Sequence, residues 1–259
     1  MHYAYISIPL TLALGAMASM PADHWVFGNS LFYLGPPTGA SIMKATYSLV
    51  PPDVPSGVKV SSPSDQVWVS VWVGASSTNG DEGANLYQPL LNWSPDQESQ
   101  GCSASITEWC VAASTYSPQG QVGQTYVPVP SKTNLDFEIS VENNKVVSVE
   151  NNKVYQIVTM NGEVISQQSD ALDNGLKYLY SQNECYTGSG NCGVLQGYKI
   201  TNLTVTLSAA DESFGKAMRL FSSTDAGFAT IDKGKTWYTD YVAIRELDLD
   251  SSSDASVQQ

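Results

Sequence analysis

The residues that carry most hydrolytic chemistry are scarce in this sequence. Its 259 residues include two histidines, His2 and His24, and no Gly-x-Ser-x-Gly segment, so a Ser-His-Asp or Cys-His arrangement would depend on a residue near the N-terminus. No glycine-rich phosphate loop is present either. The four cysteines are not spaced as zinc ligands, and we therefore expect neither a metal site nor a cofactor. Amides, carboxylates and aromatic rings remain as candidates.

Carboxylates are plentiful, since Asp and Glu number 25 against 12 Lys and Arg, and the net charge is −13. This charge repels phosphate backbones and anionic lipid surfaces, so we expect neither nucleic acid nor a membrane as a partner. A glycosidase with paired carboxylates stays open, because two carboxylates are enough for its chemistry. The sequence alone places no two of them in one pocket.

Three short motifs occur in order along the chain. They are Val71-Trp72-Val73-Gly74, Leu86-Tyr87-Gln88-Pro89-Leu90-Leu91 and Cys192-Gly193-Val194-Leu195-Gln196-Gly197-Tyr198. A segment from Glu108 to Ser114 lies between the last two, and a segment from Asp23 to Gly28 precedes them all. Together they resemble the eqolisins, the fungal glutamic peptidases, over most of residues 23 to 207. The resemblance implies an all-β, concanavalin-like antiparallel β-sandwich, or jelly roll, with a concave groove.

The resemblance also implies roles for two glutamines. In the family a Gln and a Glu on neighbouring strands face each other in the groove, where the carboxylate acts as general base and the amide stabilises the oxyanion. The Gln corresponds to Gln88, and the Glu position is occupied by Gln196, whose amide cannot take a proton from water. Glu184 and Glu138 are the alternatives if the correspondence is shifted. We therefore expect Gln88 and Gln196 to bind ligand by hydrogen bonds, and peptide hydrolysis to be almost absent.

Aromatic residues of the same motifs are candidates for the groove walls. Trp72, Trp109 and Tyr198 would contact the ligand, although a tryptophan in a strand also suits a core. Amides and aromatic walls fit a neutral, partly apolar small molecule, which the protein would bind or convert in a cyclisation without proton transfer, of hetero-Diels–Alder type, in fungal secondary metabolism. The alternatives are a carbohydrate- or cell-wall-binding module and an active acid glutamic peptidase.

Short alternating segments predict the strands that position these residues. Turn signals separate them, and Asn161-Gly162 and Asn174-Gly175 are typical of hairpins. Ser213 to Leu220 predicts one short helix. Many short strands with frequent turns indicate two packed antiparallel sheets in a single domain at residues 19–245. The strand segments include 67–73, 135–141, 155–158 and 203–207.

Two further segments stand apart from this pattern. Residues 140–146 recur as residues 148–154, and because a period of eight is even, the copy can lengthen a hairpin without inverting its buried face. Residues 246–259 are acidic and serine-rich, and we expect this tail to be disordered.

The N-terminal segment predicts export. Residues 1–18 contain an apolar stretch too short to span a bilayer and end in Ala16-Met17-Ala18, the small-x-small pattern of signal peptidase sites. We therefore expect a secreted protein. In the secretory pathway an even number of cysteines favours disulfides between near neighbours, here Cys102 with Cys110 and Cys185 with Cys192.

Export would also permit N-glycosylation. Asn92-Trp93-Ser94 and Asn202-Leu203-Thr204 match the acceptor pattern. Pro95 directly after the first makes it the weaker acceptor. Both asparagines are predicted sites.

Overall fold

The computed structural model describes residues 25–28, 31–62, 64, 66–80, 83–142 and 152–251. The predicted signal peptide lies outside these residues. No helix in this part of the chain is long and apolar enough to cross a membrane. Its strands are β1 (Trp25–Phe27), β2 (Leu31–Leu34), β3 (Ile42–Leu49), β4 (Trp68–Ser76), β5 (Leu86–Tyr87), β6 (Leu90–Trp93), β7 (Trp109–Ala112), β8 (Ser114–Ser117), β9 (Gly120–Gly123), β10 (Val127–Val129), β11 (Leu135–Val141), β12 (Lys153–Met160), β13 (Glu163–Ala171), β14 (Tyr178–Tyr186), β15 (Val194–Leu195), β16 (Tyr198–Leu207), β17 (Arg219–Phe221), β18 (Ser223–Asp225), β19 (Thr236–Ile244) and β20 (Leu247–Asp248).

These strands form two large antiparallel sheets and one small one. In the described residues the large sheet has eleven strands, with the order β10-β7-β6-β4-β14-β2-β17 and with β1, β5, β8 and β9 paired beside this path. The second sheet has the order β13-β12-β11-β3-β16-β19-β18, and β15 pairs with β20 in the third. The predicted all-β antiparallel sandwich is confirmed.

One hydrophobic core joins the two large sheets. Alternation places Val69, Val71 and Val73 of β4 on the inner side of the large sheet, because successive side chains of a strand point to opposite faces. Phe137 of the second sheet stacks on Tyr47, with ring centroids 4.7 Å apart. Burial of each such side chain stabilises the folded state by about 1.5–3 kcal/mol relative to leaving it exposed. The residues that pack in the core therefore determine which residues lie on the outer faces of the sheets.

The turn predictions have mixed outcomes. Asn161 and Gly162 have φ values of 54° and 82° and join β12 to β13, so this hairpin is confirmed. The Asn174-Gly175 prediction is wrong, because β13 and β14 belong to different sheets and this segment crosses between them. The predicted helix at Ser213–Leu220 is also replaced: a 3-10 turn covers Phe214–Ala217, and β17 starts at Arg219.

Both predicted disulfides are confirmed, Cys102 to Cys110 and Cys185 to Cys192. The repeated segment lies at the end of the β11–β12 hairpin, where Val141 of the first copy pairs with Val154 of the second. Residues 143–151 lie outside the described residues, and the hairpin interpretation of the repeat therefore stays a prediction.

The tail predicted to be disordered, residues 246–259, is described only up to residue 251, and that part differs from the prediction, whereas residues 252–259 lie outside the described residues. Residues 246–251 are ordered, because Leu247 and Leu249 are buried in the core and β20 pairs with β15. The carboxylate of Asp250 accepts hydrogen bonds from the backbone N–H groups of Cys192 and Gly193, at 2.8 and 3.1 Å. Two apolar side chains outweigh the acidic composition of this short segment, and the packed part of the chain therefore extends beyond residue 245.

Candidate functional site

The face of the large sheet that points away from the core carries a second apolar group. Trp72, Leu90 and Tyr180 are buried there, and four partly buried side chains pack against them: Tyr33, Leu86, Tyr126 and Tyr178. We call these seven residues the outer-face cluster. It exists because β4 and β14 alternate: valines and Leu179 face the core, while Trp72 and Tyr180 face the opposite side.

The rings of the cluster are in contact with one another. The ring of Trp72 meets that of Tyr180 edge-on, with centroids 5.5 Å apart and planes at 73°. Tyr33 lies 5.7 Å from Tyr180 and 5.4 Å from Tyr178. Such aromatic pairs contribute about 0.5–1.5 kcal/mol each beyond the burial of their area. The cluster is therefore a packed aromatic group, and its accessible part is formed by the partly buried side chains around Trp72 and Tyr180.

Gln88 lies at one end of this cluster. A Cβ at Gly74 would lie 3.1 Å from the Gln88 Cβ and 2.6 Å from Leu86 Cδ1, so the glycine allows these side chains to rest directly on β4. Gln88 is 4 % exposed and its backbone N–H donates to Ser114. Among the residues that the structure describes, the side-chain Oε1 has no hydrogen-bond partner. It is a buried acceptor that the fold leaves unused.

Glu184 lies towards the other end of the same face. The Trp72 indole Nε1 donates a hydrogen bond of 2.9 Å to its Oε1. Although part of the side chain reaches the surface, burial of the carboxyl raises its pKa from 4.5 to about 7, and the hydrogen bond from Trp72 opposes this rise only in part. The carboxyl is therefore neutral in acidic solution and can itself donate a hydrogen bond there.

Gln88 and Glu184 do not form a hydrolytic pair. Gln88 rests on Gly74, whereas Glu184 is opposite Ser70 of the same strand. These positions are four residues apart along β4, so the backbones at Gln88 and Glu184 are offset along the strands by roughly 13 Å at about 3.3 Å per residue. A water-activating base and an oxyanion donor must both lie about 3 Å from one reacting atom. The Trp72 ring lies between them and holds the carboxyl, so this geometry does not support peptide hydrolysis.

The structure does not place Gln196 beside Gln88. Gln196 is half-buried in the connection between β15 and β16, and neither strand is paired with β4, β5 or β6. The expectation that the two glutamines lie on neighbouring strands is therefore wrong. The other alternative, Glu138, belongs to β11 of the second sheet and forms an ion pair of 2.6 Å with Lys44.

Two of the three predicted aromatic contacts are core residues. The Trp109 ring lies between the sheets, and its Nε1 donates to the Pro52 carbonyl at 2.8 Å. The Tyr198 ring is in the same core, its hydroxyl donates to Asn183 Oδ1 at 2.7 Å, and burial raises its pKa. Their predicted roles as groove walls are therefore wrong. Trp72 alone of the three reaches the outer face.

The sequence analysis missed the tyrosines of the cluster. In β14, Tyr178, Tyr180 and Glu184 recur at even spacing on one face, while Leu179 and Cys185 face the core. This alternation was readable from the sequence. It did not show which neighbouring strand would bring the tyrosines to Trp72.

The two predicted glycosylation sites have different surroundings. Asn92 is 2 % exposed within β6, and its Oδ1 accepts a hydrogen bond of 2.8 Å from Ser70. A glycan has no room there, so this prediction is wrong. Asn202 is exposed, and its modification stays a prediction. The described residues contain no group of His, Cys, Asp and Glu side chains that could hold a metal ion.

Comparison with known proteins gives only fold-level similarity. No protein-family model and no curated protein sequence matches this chain. Scytalido-glutamic peptidase with a transition state analog inhibitor is similar in structure, with a TM-score of 0.46 and 11 % identity over 83 % of this chain and 98 % of that chain. SCP-B, an eqolisin in complex with the tripeptide Ala-Ile-His, has a TM-score of 0.44 and 10 % identity over 84 % and 98 %.

A glucanase also appears among the similar structures. A prokaryotic β-1,3-1,4-glucanase derived from a mouse hindgut metagenome has a TM-score of 0.30 and 9 % identity, over 87 % of this chain and 94 % of that chain. At these identities no residue role is transferred from the similar structures.

The unpartnered amide predicts an unusual response to substitution. Gln88→Leu removes a buried polar group that has no partner, so the free energy of unfolding should stay equal or rise by about 1 kcal/mol. Gln156→Leu is the control, because Gln156 is equally buried but donates to Thr115 at 2.7 Å, and its loss should cost about 1–3 kcal/mol. Urea denaturation measures both. A clear destabilisation by Gln88→Leu would show that its amide is satisfied in the folded protein.

The raised pKa of Glu184 predicts a pH dependence of stability. The unfolded chain releases this proton near pH 4.5 and the folded protein near pH 7, so the folded state binds more protons in between and its stability falls as the pH rises through this window. Relative to Glu184→Gln, the wild-type protein should lose stability from pH 4.5 to 7.5 in urea denaturation. Glu108→Gln is the control of opposite sign, because hydrogen bonds from Ser105 lower the pKa of Glu108, so its difference should rise slightly just above pH 4.5 and stay flat above about pH 6. A Glu184 difference that is flat or rises with pH contradicts the assignment.

Proposed function

We propose that this protein is exported and binds a neutral, partly apolar small molecule at the outer-face cluster, with the Gln88 amide as its main hydrogen-bonding group. The observation that carries the proposal is the buried, unpartnered Oε1 of Gln88 beside an aromatic surface. Leaving a buried acceptor unpaired costs about 1–3 kcal/mol. Native proteins retain few such groups, and a ligand that supplies the missing hydrogen bond accounts for this one.

The Gln88 amide restricts the polar groups of the ligand. Because water does not reach the oxygen in this structure, a ligand must first displace the side chains that cover it, after which the oxygen can accept from a hydroxyl or N–H group of the ligand. A rotation of the amide by 180° would instead present its NH2 group to a carbonyl oxygen. At the far end of the cluster, the neutral form of Glu184 can donate and its ionised form can only accept. A molecule with an oxygen substituent on an apolar frame fits both ends.

The charges around the cluster favour a neutral ligand. The described residues of the cluster carry no basic side chain, and Glu184 becomes negative above about pH 7. The chain as a whole has a net charge of −13. An anionic ligand would lose its hydration without gaining a counter-charge.

The catalytic form of this proposal is a cyclisation without proton transfer. In a hetero-Diels–Alder reaction, the three π bonds of a heterodiene and an alkene are replaced by two σ bonds between them and one new π bond, and no atom leaves. The Gln88 NH2 group would polarise the carbonyl of the heterodiene, while the Trp72 and Tyr180 rings hold the two partners in contact. Such a role would place the protein in secondary metabolism.

Turnover tests this catalytic form. With an α-keto-β,γ-unsaturated ester and ethyl vinyl ether as neutral reactants, we expect adduct formation above the uncatalysed rate. That rate should be flat from pH 5 to 8, because an amide does not titrate there, and it should be lost in Gln88→Leu. A step near pH 7 that disappears in Glu184→Gln would assign the chemistry to the carboxyl instead. Chromatography of the adduct gives the rates.

A carbohydrate ligand is the second candidate. It is favoured by partly exposed rings on one face, since Tyr33 and Tyr178 of the cluster and Trp68 of β4 lie on the same side of the sheet. Aromatic faces combined with amide hydrogen bonds suit sugar rings. The small molecule and the carbohydrate would bind at the same site, and the carbohydrate would be the longer ligand.

Binding of defined probes tests the proposed site. By isothermal titration calorimetry, 2-naphthol should bind more tightly than 2-naphthoate, because only the neutral probe can donate to Gln88 without carrying a charge. Gln88→Leu should weaken 2-naphthol binding about 5- to 150-fold, equivalent to about 1–3 kcal/mol. Tighter binding of cellotetraose than of 2-naphthol would favour the carbohydrate candidate.

Gln196→Leu is the matched control for this experiment. Gln196 is a glutamine of the same predicted pair, and it lies in the β15–β16 connection instead of on the outer face. Its substitution should leave the affinity for 2-naphthol unchanged. Equal weakening by both substitutions, or by neither, would contradict the placement of the site at Gln88.

A further inference from the structure

Asn202 occupies an irregular position in the second sheet. From Thr201 to Thr204, three steps of β16 oppose the two steps from Ser48 to Thr46 of β3, which defines a β-bulge. Asn202 has a φ of 54°, a left-handed conformation that asparagine tolerates better than most residues. The bulge leaves its side chain exposed on the outer side of this sheet, whereas Leu203 is buried in the core.

A groove of mixed polar and apolar lining lies beside this asparagine. Its volume is about 230 Å³, and its lining includes Thr46, Ser48, Asp136, Thr159 and Asn202. The Ser48 hydroxyl donates to Asp136 Oδ1 at 2.6 Å, which fixes the carboxylate in the groove. The groove is smaller than the roughly 300–1,000 Å³ of most small-molecule pockets. It admits one sugar ring, and its lining offers hydroxyl and carboxylate groups that can pair with sugar hydroxyls.

We propose that Asn202 carries an N-linked glycan whose first N-acetylglucosamine residue packs into this groove. The acceptor pattern Asn202-Leu203-Thr204 is complete, the asparagine is exposed, and it is one of the residues that line the groove. The covalent tether removes most of the entropic cost of filling a shallow site. The proposal requires passage through the secretory pathway, and it is independent of what the outer-face cluster binds.

The modification forms one bond and breaks one. The Nδ2 of Asn202 bonds to the anomeric carbon of the oligosaccharide, whose bond to the diphosphate of a lipid-linked donor breaks. The lipid diphosphate leaves, and the amide gives up one proton. The resulting N-glycan lies on the second sheet, so the full thickness of the core separates it from the outer-face cluster.

Production in two hosts tests the proposal. Full-length chain secreted by a yeast should carry a glycan at Asn202 and none at Asn92, as measured by mass spectrometry of its peptides. Trimming with endoglycosidase H leaves the first sugar in place. The trimmed protein should melt about 2–4 °C above the same chain made in a bacterial periplasm, where disulfides form but this glycan is not added.

Three variants control this comparison. In yeast, Thr204→Ser keeps the acceptor pattern, so this variant should keep the glycan and the increase in melting temperature. Thr204→Ala removes the pattern, so this variant should carry no glycan and show no such increase. Thr46→Phe fills the groove while leaving the acceptor intact, so the glycan should remain but its thermal gain should disappear. An unoccupied Asn202 overturns the proposal. So does a trimmed protein that melts no higher than the unglycosylated one, or a gain that survives Thr46→Phe.

Discussion

Every second side chain of β4 and β14 packs in the core between the sheets. This alternation determines which side chains lie on the opposite face of the large sheet. Val71 and Leu179 fill the interior, so Trp72 and Tyr180 must face outwards and bury one another. A shift of either strand by one residue would exchange the two sets. The pairing of these central strands thus fixes both the stability of the sandwich and the composition of its candidate site.

The absence of a side chain at Gly74 adds the polar part of the site. Because Gly74 has no Cβ, Gln88 can rest on the sheet next to the aromatic cluster, where water does not reach its amide oxygen. The Trp72 indole is directed to Glu184 and therefore does not satisfy that oxygen. Two polar groups at opposite ends of an aromatic surface are a poor arrangement for hydrolysis and a suitable one for holding a molecule with polar ends. The pattern agrees with a site in which stability is given up for binding.

The sequence predicted local features well and long-range pairing poorly. The valine alternation of β4, the Asn161-Gly162 turn and the short-range disulfides depend on neighbouring residues, and all were found as expected. Trp72 and Trp109 both lie in strands with alternating side chains, yet Trp72 faces outwards and Trp109 faces the core. Which face of a strand packs against the core depends on the pairing of distant strands, and the local sequence does not show it.

The assignment of Gln196 failed for a related reason. The strand before it, β15, pairs with β20, which lies some fifty residues later in a segment whose acidic composition indicated disorder. The burial of Leu247 and Leu249 depends on that pairing, and local composition gave no sign of it. Glu184 was an alternative in the sequence analysis, but its bond to Trp72 and its raised pKa follow from the pairing of β4 with β14.

The central claim is that the unpartnered amide of Gln88 marks the ligand site, and a crystal structure of the protein with 2-naphthol tests it most directly. The account predicts that the naphthalene ring contacts Trp72 or Tyr180 and that its hydroxyl lies about 2.7–3.2 Å from Gln88 Oε1. A 2-naphthol molecule bound instead at Gln196, or at the groove on the second sheet, with the Gln88 amide paired to a protein group, would contradict it.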